Sequence, residues 1–164
     1  MKNSGVRIRK AVPDDAQELT RISFMAKRIW DYPQEYYKKW HDELTITTDY
    51  ICYNTVFVAV SGSETAGYYS LVYNPEDRKF GKVFMEAGHW MEHLFIKPEC
   101  MYKGIGTELV KHLKAYCKEK EISRVKIFVE PNARGFYEKS GAVFRYMSDS
   151  SIEDRQIPVF EFKL

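Results

Sequence analysis

The sequence lacks the features that mark several large classes of protein. It has only three cysteines in 164 residues, and an odd, scattered set suits reduced thiols rather than a disulfide framework. No Cys and His spacing is typical of a metal site, so we expect no metal cofactor. No apolar run is long enough to span a bilayer, and no signal peptide leads the chain, which predicts a cytoplasmic protein without a membrane partner.

An excess of charge of one sign is also missing. Lys and Arg number 25 against 23 Asp and Glu, which gives a net charge of +2. That charge is too small to predict binding to nucleic acid or to an anionic membrane surface. The sequence shows no repeats, low-complexity tracts or linkers. At 164 residues and 45% hydrophobic it is long enough to bury a core, and we predict a single domain over residues 1–164.

The most informative stretch that is present is Lys103–Thr107, where two glycines separate an apolar segment from a long amphipathic one. Upstream, His93–Pro98 is typical of a buried strand stopped by proline. Downstream, apolar residues recur at i, i+4, i+7 and i+8, which predicts one face of a helix. The residues on that face are Leu109, Leu113, Tyr116 and Cys117.

This stretch has the properties of an anion-binding loop. Gly104 and Gly106 lack the Cβ atoms that crowd a tight turn. The first N–H groups of a helix have no intrahelical acceptor, and with the helix dipole they attract phosphate. Lys103 adds a full positive charge. The stretch therefore predicts a pyrophosphate site, although a glycine-softened turn before a helix explains it equally well. Neither a Walker loop nor a dinucleotide fingerprint fits the spacing.

A second segment lies about thirty residues further along the chain. Arg124–Val129 alternates polar and apolar residues and predicts a strand. Glu130–Asn132 ends that strand, Ala133–Lys139 predicts a short helix, and Gly141 stops it. Strand, glycine turn, helix, strand and short helix make a βαβα unit with parallel strands. Ligands of such units bind at the carboxyl ends of the strands, which is where both the glycine turn and Asn132 fall.

On these motifs the chain resembles the GNAT superfamily of N-acetyltransferases. Met101–Gly106 lies where that superfamily has its Arg/Gln-x-x-Gly-x-Gly/Ala acetyl-CoA motif, with Met101 replacing the first Arg or Gln. Pro131–Ala142 resembles its second motif, and Val6–Ala11 followed by Pro13–Ala16 looks like its first strand and helix start. The resemblance implies acetyl-CoA as co-substrate and an α/β (α+β) fold. That fold is a mixed, mainly antiparallel central sheet with helices on both faces and a C-terminal βαβα acetyl-CoA-binding unit.

The remaining pattern predicts the order of the other elements. A helix is expected from Pro13 to about Lys27, with a second helical piece after Pro33. A hairpin and a further strand pair are expected in the middle of the chain, and two strands at its end. The predicted strands are Val6–Lys10, Thr55–Val60 with Ala66–Val72, Lys79–Met85 with Trp90–Ile96, and Ala142–Met147 with Pro158–Lys163.

Acetyl transfer to an amine requires a base, because an alkylammonium group with a pKa near 10.4 has to lose its proton. Glu92 is the candidate, since it is the only carboxylate inside the apolar strand and burial would raise its pKa. A strand-end Glu bonded to a neighbouring Arg or Tyr is the plainer alternative. His89, His93 and Glu86 are weaker candidates.

The resemblance also implies roles for residues around the cofactor. Tyr137 is expected to approach the thiol sulfur of bound CoA and to give the leaving thiolate a proton. Asn132 is expected to contact the cofactor, or to cap the short helix, or both. Leu94, Phe95 and Ile96 would contact the pantetheine arm through their backbone groups. The predicted pyrophosphate site comprises Tyr102, Lys103, Gly104, Ile105, Gly106 and Thr107.

The acceptor pocket is the least defined. Ile29–Trp40 is rich in aromatic residues, and in this superfamily the segment after the first helix commonly covers the acceptor. Trp30 and Tyr32 are therefore candidate substrate-binding residues. A second amphipathic helix that buries Tyr36, Trp40 and Leu44 accounts for the same segment equally well.

The predicted activity is direct acetyl transfer from acetyl-CoA to a primary amine of a small molecule or peptide. No covalent enzyme intermediate is expected, because no cysteine has an obvious partner base at the predicted crevice. The alternative is a catalytically silent CoA-binding or sensing module on the same fold. Edge strands also make a homodimer a reasonable expectation.

Overall fold

The computed structural model describes residues 5–164, which form five α-helices and nine β-strands. Short 3-10 turns at Pro13–Asp15, Pro98–Cys100 and Pro131–Ala133 join some of them. The helices are α1 Ala16–Arg28, α2 Gln34–Leu44, α3 Thr48–Tyr53, α4 Ile105–Glu119 and α5 Arg134–Lys139. The strands are β1 Val6–Lys10, β2 Thr55–Ser61, β3 Glu64–Asn74, β4 Arg78–Phe80, β5 Val83–Met85, β6 Gly88–Ile96, β7 Arg124–Phe128, β8 Val143–Asp149 and β9 Gln156–Lys163.

Seven of these strands form one sheet in the order β1-β2-β3-β6-β7-β9-β8, and β4 and β5 form a separate hairpin. Strands β6 and β7 pair in parallel, whereas β1 with β2, β2 with β3, β7 with β9 and β8 with β9 are antiparallel. The chain order β6, α4, β7, α5 is the predicted βαβα unit. The predicted fold class, a mixed and mainly antiparallel sheet combined with helices, is confirmed.

The chain divides into two compact units. Among the described residues, the first consists of 5–71 together with His93–Leu113. Its core lies between the helices that precede β2 and the β-branched residues of β2, because alternate strand residues face the same side. Those core residues include Leu19, Ile22, Ile46, Ile51, Val56, Val58, Val60 and Tyr68.

Within the first unit, a glycine allows β3 and β6 to approach closely. A Cβ atom on Gly67 would lie 2.7 Å from the Phe95 carbonyl oxygen and 2.7 Å from Cδ1 of Ile96. At the end of β6, the Lys97 N–H donates to the Ala66 carbonyl at 2.8 Å. A side chain at position 67 would therefore force β3 and β6 apart.

The second unit consists of Val72–Glu92 together with Lys114–Leu164. Strand β7 pairs along its whole length with β9, from Arg124 opposite Lys163 to Phe128 opposite Val159. The alternation seen in the sequence of β7 buries Val125 and Ile127 on one face of the strand. The buried residues of the unit include Trp90, Cys117, Val125, Ile127, Tyr137, Phe160 and Phe162.

Two sequence-based expectations are corrected by the structure. Lys79–Met85 is not one strand that pairs with Trp90–Ile96, because the chain reverses at Gly81, which has φ +61°, and β4 pairs with β5 instead. Helix α3 was not expected, since six residues are too few for a periodic signal. It begins after Thr47, whose side chain accepts a hydrogen bond from the Tyr50 N–H. The expectation of a single domain over residues 1–164 stays a prediction.

Candidate active site

The segment Tyr102–Thr107, called the glycine loop below, leads into α4 in the first unit. It contains two residues with left-handed backbone angles. Tyr102 has φ +61° and its side chain is 94% exposed, and Gly104 has φ +82°. A non-glycine residue with positive φ is unusual and is often found at functional sites. The Glu108 N–H donates to the Gly104 carbonyl at 3.0 Å, so the first i to i−4 bond of the helix starts at Gly104. The N–H groups of residues 105–107 precede that bond.

This geometry is of the kind that suits an anion site made of backbone groups. Ile105 is buried and fixes the start of α4 to the core, while Lys103 and Thr107 are exposed beside it. Gly106 lies in the first turn of the helix, where its missing side chain leaves room for a ligand. Met101, which stands where the resembling family has Arg or Gln, is half-buried. The loop therefore offers mainly backbone groups to a ligand.

Strand β6 leads into this loop, and the residue that follows it forms a partly buried ion pair. The Lys97 ammonium, which is almost fully buried, lies 2.9 Å from a carboxylate oxygen of Glu18 on α1. Hydrogen bonds from Arg21 and from Lys97 lower the pKa of Glu18 to about 2. Leu94, Phe95 and Ile96 are half-buried, and Phe95 packs against the core of the first unit. The strand whose backbone would face a pantetheine arm is thus held at its end.

In the second unit, Asn132 lies where β7 has ended, as the sequence predicts, but it does not cap α5. The residue at the N-cap of α5 is Ala133, and Asn132 belongs to the preceding 3-10 turn. Its side-chain amide donates to Glu130 Oε1 at 2.9 Å. The capping alternative is therefore wrong, because a turn of Pro131–Ala133 intervenes before the helix. Asn132 is exposed, which suits contact with a ligand.

Tyr137 lies on α5 with 7% of its surface exposed. Burial, and secondarily the nearby charge of Glu130, raise the pKa of its phenol. The hydroxyl therefore keeps its proton at neutral pH, as a donor must. A phenol with a raised pKa is also a weaker acid than a thiol with a pKa near 8.5, so it suits donation of a hydrogen bond to sulfur better than complete proton transfer.

Glu92 does not have the environment that the sequence suggested. It was expected to be a buried carboxylate, yet its side chain is exposed, while the neighbouring Met91 and His93 are buried. The register of β6 with β7 pairs His89 with Val125 and Trp90 with Lys126, so Glu92 lies two residues beyond the last position paired with β7. Its exposure removes the burial on which the argument for Glu92 from the sequence relied.

The weaker base candidates have structural partners. His93 is buried and burial lowers its pKa to about 4. Its Nε2 lies 2.6 Å from the Glu43 carbonyl oxygen and its Nδ1 lies 2.7 Å from Ser70 Oγ. Glu86 contacts Lys126 at 3.0 Å, and this contact is the main reason why its pKa is lowered. His89 is half-buried with its ring 4.8 Å from that of Tyr73.

The aromatic segment between α1 and α2 forms a cluster in the first unit. The ring of Tyr32 meets Trp40 edge-on at 5.2 Å and stacks on Tyr36 at 5.9 Å. The Lys27 ammonium lies 4.4 Å from the centre of the Trp40 ring. Trp40 and Leu44 are buried as the helical alternative expects, whereas Tyr36 is only half-buried. Trp30 is half-buried as well. One segment thus provides core residues and partly exposed rings.

Sequence reasoning missed one cluster in the second unit. Lys126 of β7 lies between Glu86 and Glu161, and Glu161 of β9 is 1% exposed. In the sequence, Glu161 stands between Phe160 and Phe162 in a strand whose alternation assigns it to the opposite face. A carboxylate in such an apolar strand could have indicated a buried charged group. Only the neighbouring strands show which residues surround it.

Within residues 5–164, no group of three or more His, Cys, Asp or Glu side chains is arranged to hold a metal ion. No helix there combines the length and apolar character needed to cross a bilayer. Cys52, Cys100 and Cys117 are free thiols, and burial raises the pKa of Cys117 to about 11, which makes that thiol unreactive.

Comparison with known proteins identifies the family of the chain. Residues 19–142 match the model of the Acetyltransferase (GNAT) family. That match covers both the glycine loop and the segment with Asn132 and Tyr137, and the chain belongs to this family. No curated protein matches the sequence.

Solved structures show the same fold at low sequence identity. The PaiA N-acetyltransferase of Thermoplasma acidophilum, crystallised with coenzyme A, is 19% identical with a TM-score of 0.73, over 97% of this chain and 99% of that one. A GCN5-related N-acetyltransferase of Rhodopseudomonas palustris is 18% identical with a TM-score of 0.76, over 100% and 99% of the two chains. An acetyltransferase of Thermus thermophilus is 15% identical with a TM-score of 0.62, over 97% of each chain.

Proposed function

We propose that this chain is an acetyl-CoA-dependent N-acetyltransferase that moves an acetyl group directly to a primary amine of a small molecule or peptide. The observation that supports this most is the backbone loop at Tyr102–Thr107, which opens a long helix inside the region matched to the family. A helix N-terminus with a glycine turn binds phosphate groups well. The coenzyme A complex of the PaiA protein is consistent with the proposal.

In the proposed reaction the loop binds the diphosphate of acetyl-CoA, and the backbone of Leu94–Ile96 accompanies the pantetheine arm. Backbone N–H groups near the end of the β6 and β7 pairing would stabilise the oxyanion that develops on the thioester carbonyl. Tyr137 donates a hydrogen bond to the departing sulfur, and Asn132 contacts the cofactor. The protein is then a cytoplasmic enzyme that needs no metal.

The acceptor has to reach its neutral form before it attacks. For an amine with a pKa near 10.4, that costs about 4.6 kcal/mol at pH 7. Glu92 is the proposed base, and because it is exposed it would act through an ordered water as readily as directly. Trp30 and Tyr32 are proposed to border the acceptor.

Because Glu92 is exposed, a second candidate function remains, namely a CoA-binding module without catalysis. A binding module needs no base. The two functions differ in turnover rather than in affinity, so the test has to measure both.

The experiment combines calorimetric titration with coenzyme A and a screen of amines, amino acids and peptides followed by free thiol release. An enzyme binds coenzyme A and releases thiol faster with at least one acceptor than with none. Glu92→Gln should leave coenzyme A binding unchanged and slow turnover about 100-fold. The control Glu99→Gln changes the charge equally at another exposed position. Binding without turnover for every acceptor supports the silent module, and absence of binding refutes both.

A further inference from the structure

The second unit contains a buried carboxylate that the proposed reaction does not use. Glu161 is 1% exposed, and its Oε1 atom is buried without a hydrogen-bond partner in the part of the chain described, residues 5–164. Its other oxygen, Oε2, lies 3.9 Å from the Lys126 ammonium. That distance exceeds hydrogen-bond range. Buried carboxylates are normally paired and hydrogen-bonded, so Glu161 lacks a donor.

Lys126 is held closer to a different carboxylate. Its ammonium lies 3.0 Å from Glu86 Oε2, and the Tyr146 hydroxyl donates to Glu86 Oε1 at 2.8 Å. Both oxygens of Glu86 are therefore engaged. The charge of Arg145, an exposed residue, acts on Glu86 as well. Glu86 is well supplied with donors, whereas Glu161 has one distant cation.

An aromatic ring lies close to Lys126. The Lys126 ammonium lies 5.9 Å from the centre of the Trp90 ring. Trp90 is held by its indole N–H, which donates to the Glu86 carbonyl at 2.8 Å, and by stacking on Phe128 at 4.7 Å. Trp90 and the two carboxylates thus share Lys126 as a neighbour. An aromatic ring suits an ammonium group on an alkyl chain, because the ring attracts the cation and packs against the methylenes.

We propose that Glu161, Glu86, Lys126 and Trp90 form a subsite for an alkylammonium group, with Glu161 Oε1 as its main hydrogen-bond acceptor. Lys126 and the Tyr146 hydroxyl already engage Glu86, so a ligand ammonium would supply the hydrogen-bond donor that Glu161 Oε1 lacks. Lys126, 17% exposed at its side chain, moves toward Glu86 and solvent when the ligand enters. The proposal rests on the proposed function only in identifying this ammonium as part of the acceptor, and binding itself requires no turnover.

The test is a calorimetric titration of the full chain with butylammonium chloride, without coenzyme A, and with n-butanol as the uncharged control. We expect weak binding of butylammonium, with a Kd on the order of 1 mM, and none of butanol. Glu161→Gln should weaken butylammonium binding at least about tenfold. The matched control Glu153→Gln, at an exposed position of the same unit, should leave it unchanged.

The outcomes separate this proposal from the proposed function. If the unmodified chain does not bind coenzyme A, the proposed function is refuted. The butylammonium titration still tests the subsite, because it is done without coenzyme A. No binding of butylammonium to the unmodified chain, equal binding of butanol, or equal loss in both Glu variants would overturn the subsite. If Glu161→Gln does not fold, the subsite is tested instead with a crystal of the unmodified chain soaked in butylammonium chloride. Ligand density within hydrogen-bond distance of Glu161 supports the proposal, and a water molecule alone at Oε1 refutes it.

Discussion

The glycine loop and the α5 segment are both matched to the same family, yet they present their chemistry in opposite ways. The loop offers backbone groups, and its side chains are exposed, Tyr102 above all. The α5 segment offers one buried side chain, the Tyr137 hydroxyl, whose pKa burial raises. Changes of side chain should therefore matter little in the loop unless they alter its φ angles, and should matter greatly at Tyr137.

The largest effect is expected from Tyr137→Phe. The substitution removes one hydroxyl that would stabilise the departing sulfur, and loss of a single well-placed donor slows catalysis about 100-fold or more. Coenzyme A affinity should change less than about threefold, because the ring remains. Steady-state kinetics together with calorimetry measure the two quantities. Equal losses of turnover and affinity would show that Tyr137 serves packing, and the contrast with the loop would fail.

Gly104→Val should produce the next largest effect. A β-branched residue at φ +82° is strained by about 1–3 kcal/mol, so the loop shifts and coenzyme A affinity falls roughly 10- to 50-fold. Gly62→Val is the matched control. Gly62 also has positive φ, of +62°, and open space around its Cβ position, but it lies in the turn between β2 and β3.

Both glycine variants should lose similar stability in thermal unfolding, and only Gly104→Val should lose affinity for coenzyme A. If both variants lost affinity for coenzyme A, the cause would be backbone strain in general rather than a change in the glycine loop.

The smallest effect concerns the anchor of the strand that leads into the loop. The pKa of Glu18 is about 2, below the ordinary value of 4.5, so its charge stabilises the folded chain. That contribution is complete above about pH 4.5 and is lost as the pH falls toward 2. Because Glu18 is partly exposed, the contribution is about 1 kcal/mol. Denaturant unfolding at pH 6 and pH 3 should show this loss in the unmodified chain and a smaller loss in Glu18→Gln. Identical pH dependence in both would contradict it.

Much of the fold follows from local pattern. The alternating residues of β7, the helical spacing of Leu109, Leu113 and Cys117, and the glycine before α4 each predict an element that the structure contains. The β4–β5 hairpin was missed because a turn at Gly81 leaves the alternation on either side undisturbed. Helix α3 was missed because its length gives no periodicity.

The site was less predictable, since burial depends on strand pairing that a single sequence does not reveal. Glu92 belongs to an apolar strand and was expected to be buried, but it is exposed although β6 lies between β3 and β7 in the sheet. Glu161 lies on a strand with β7 on one side and β8 on the other, and is buried. The catalytic and substrate-binding roles of Glu92, Tyr137, Trp30 and Tyr32 stay predictions.

The central claim is that backbone N–H groups at the start of α4 bind a diphosphate. Calorimetric titration with coenzyme A and with pantetheine, which lacks the diphosphate and the nucleoside, tests it most directly. Two charge-assisted hydrogen bonds, at about 1.5–3 kcal/mol each, predict that coenzyme A binds at least about 100-fold more tightly than pantetheine. Equal affinities for the two compounds, or no binding of coenzyme A, would contradict the account.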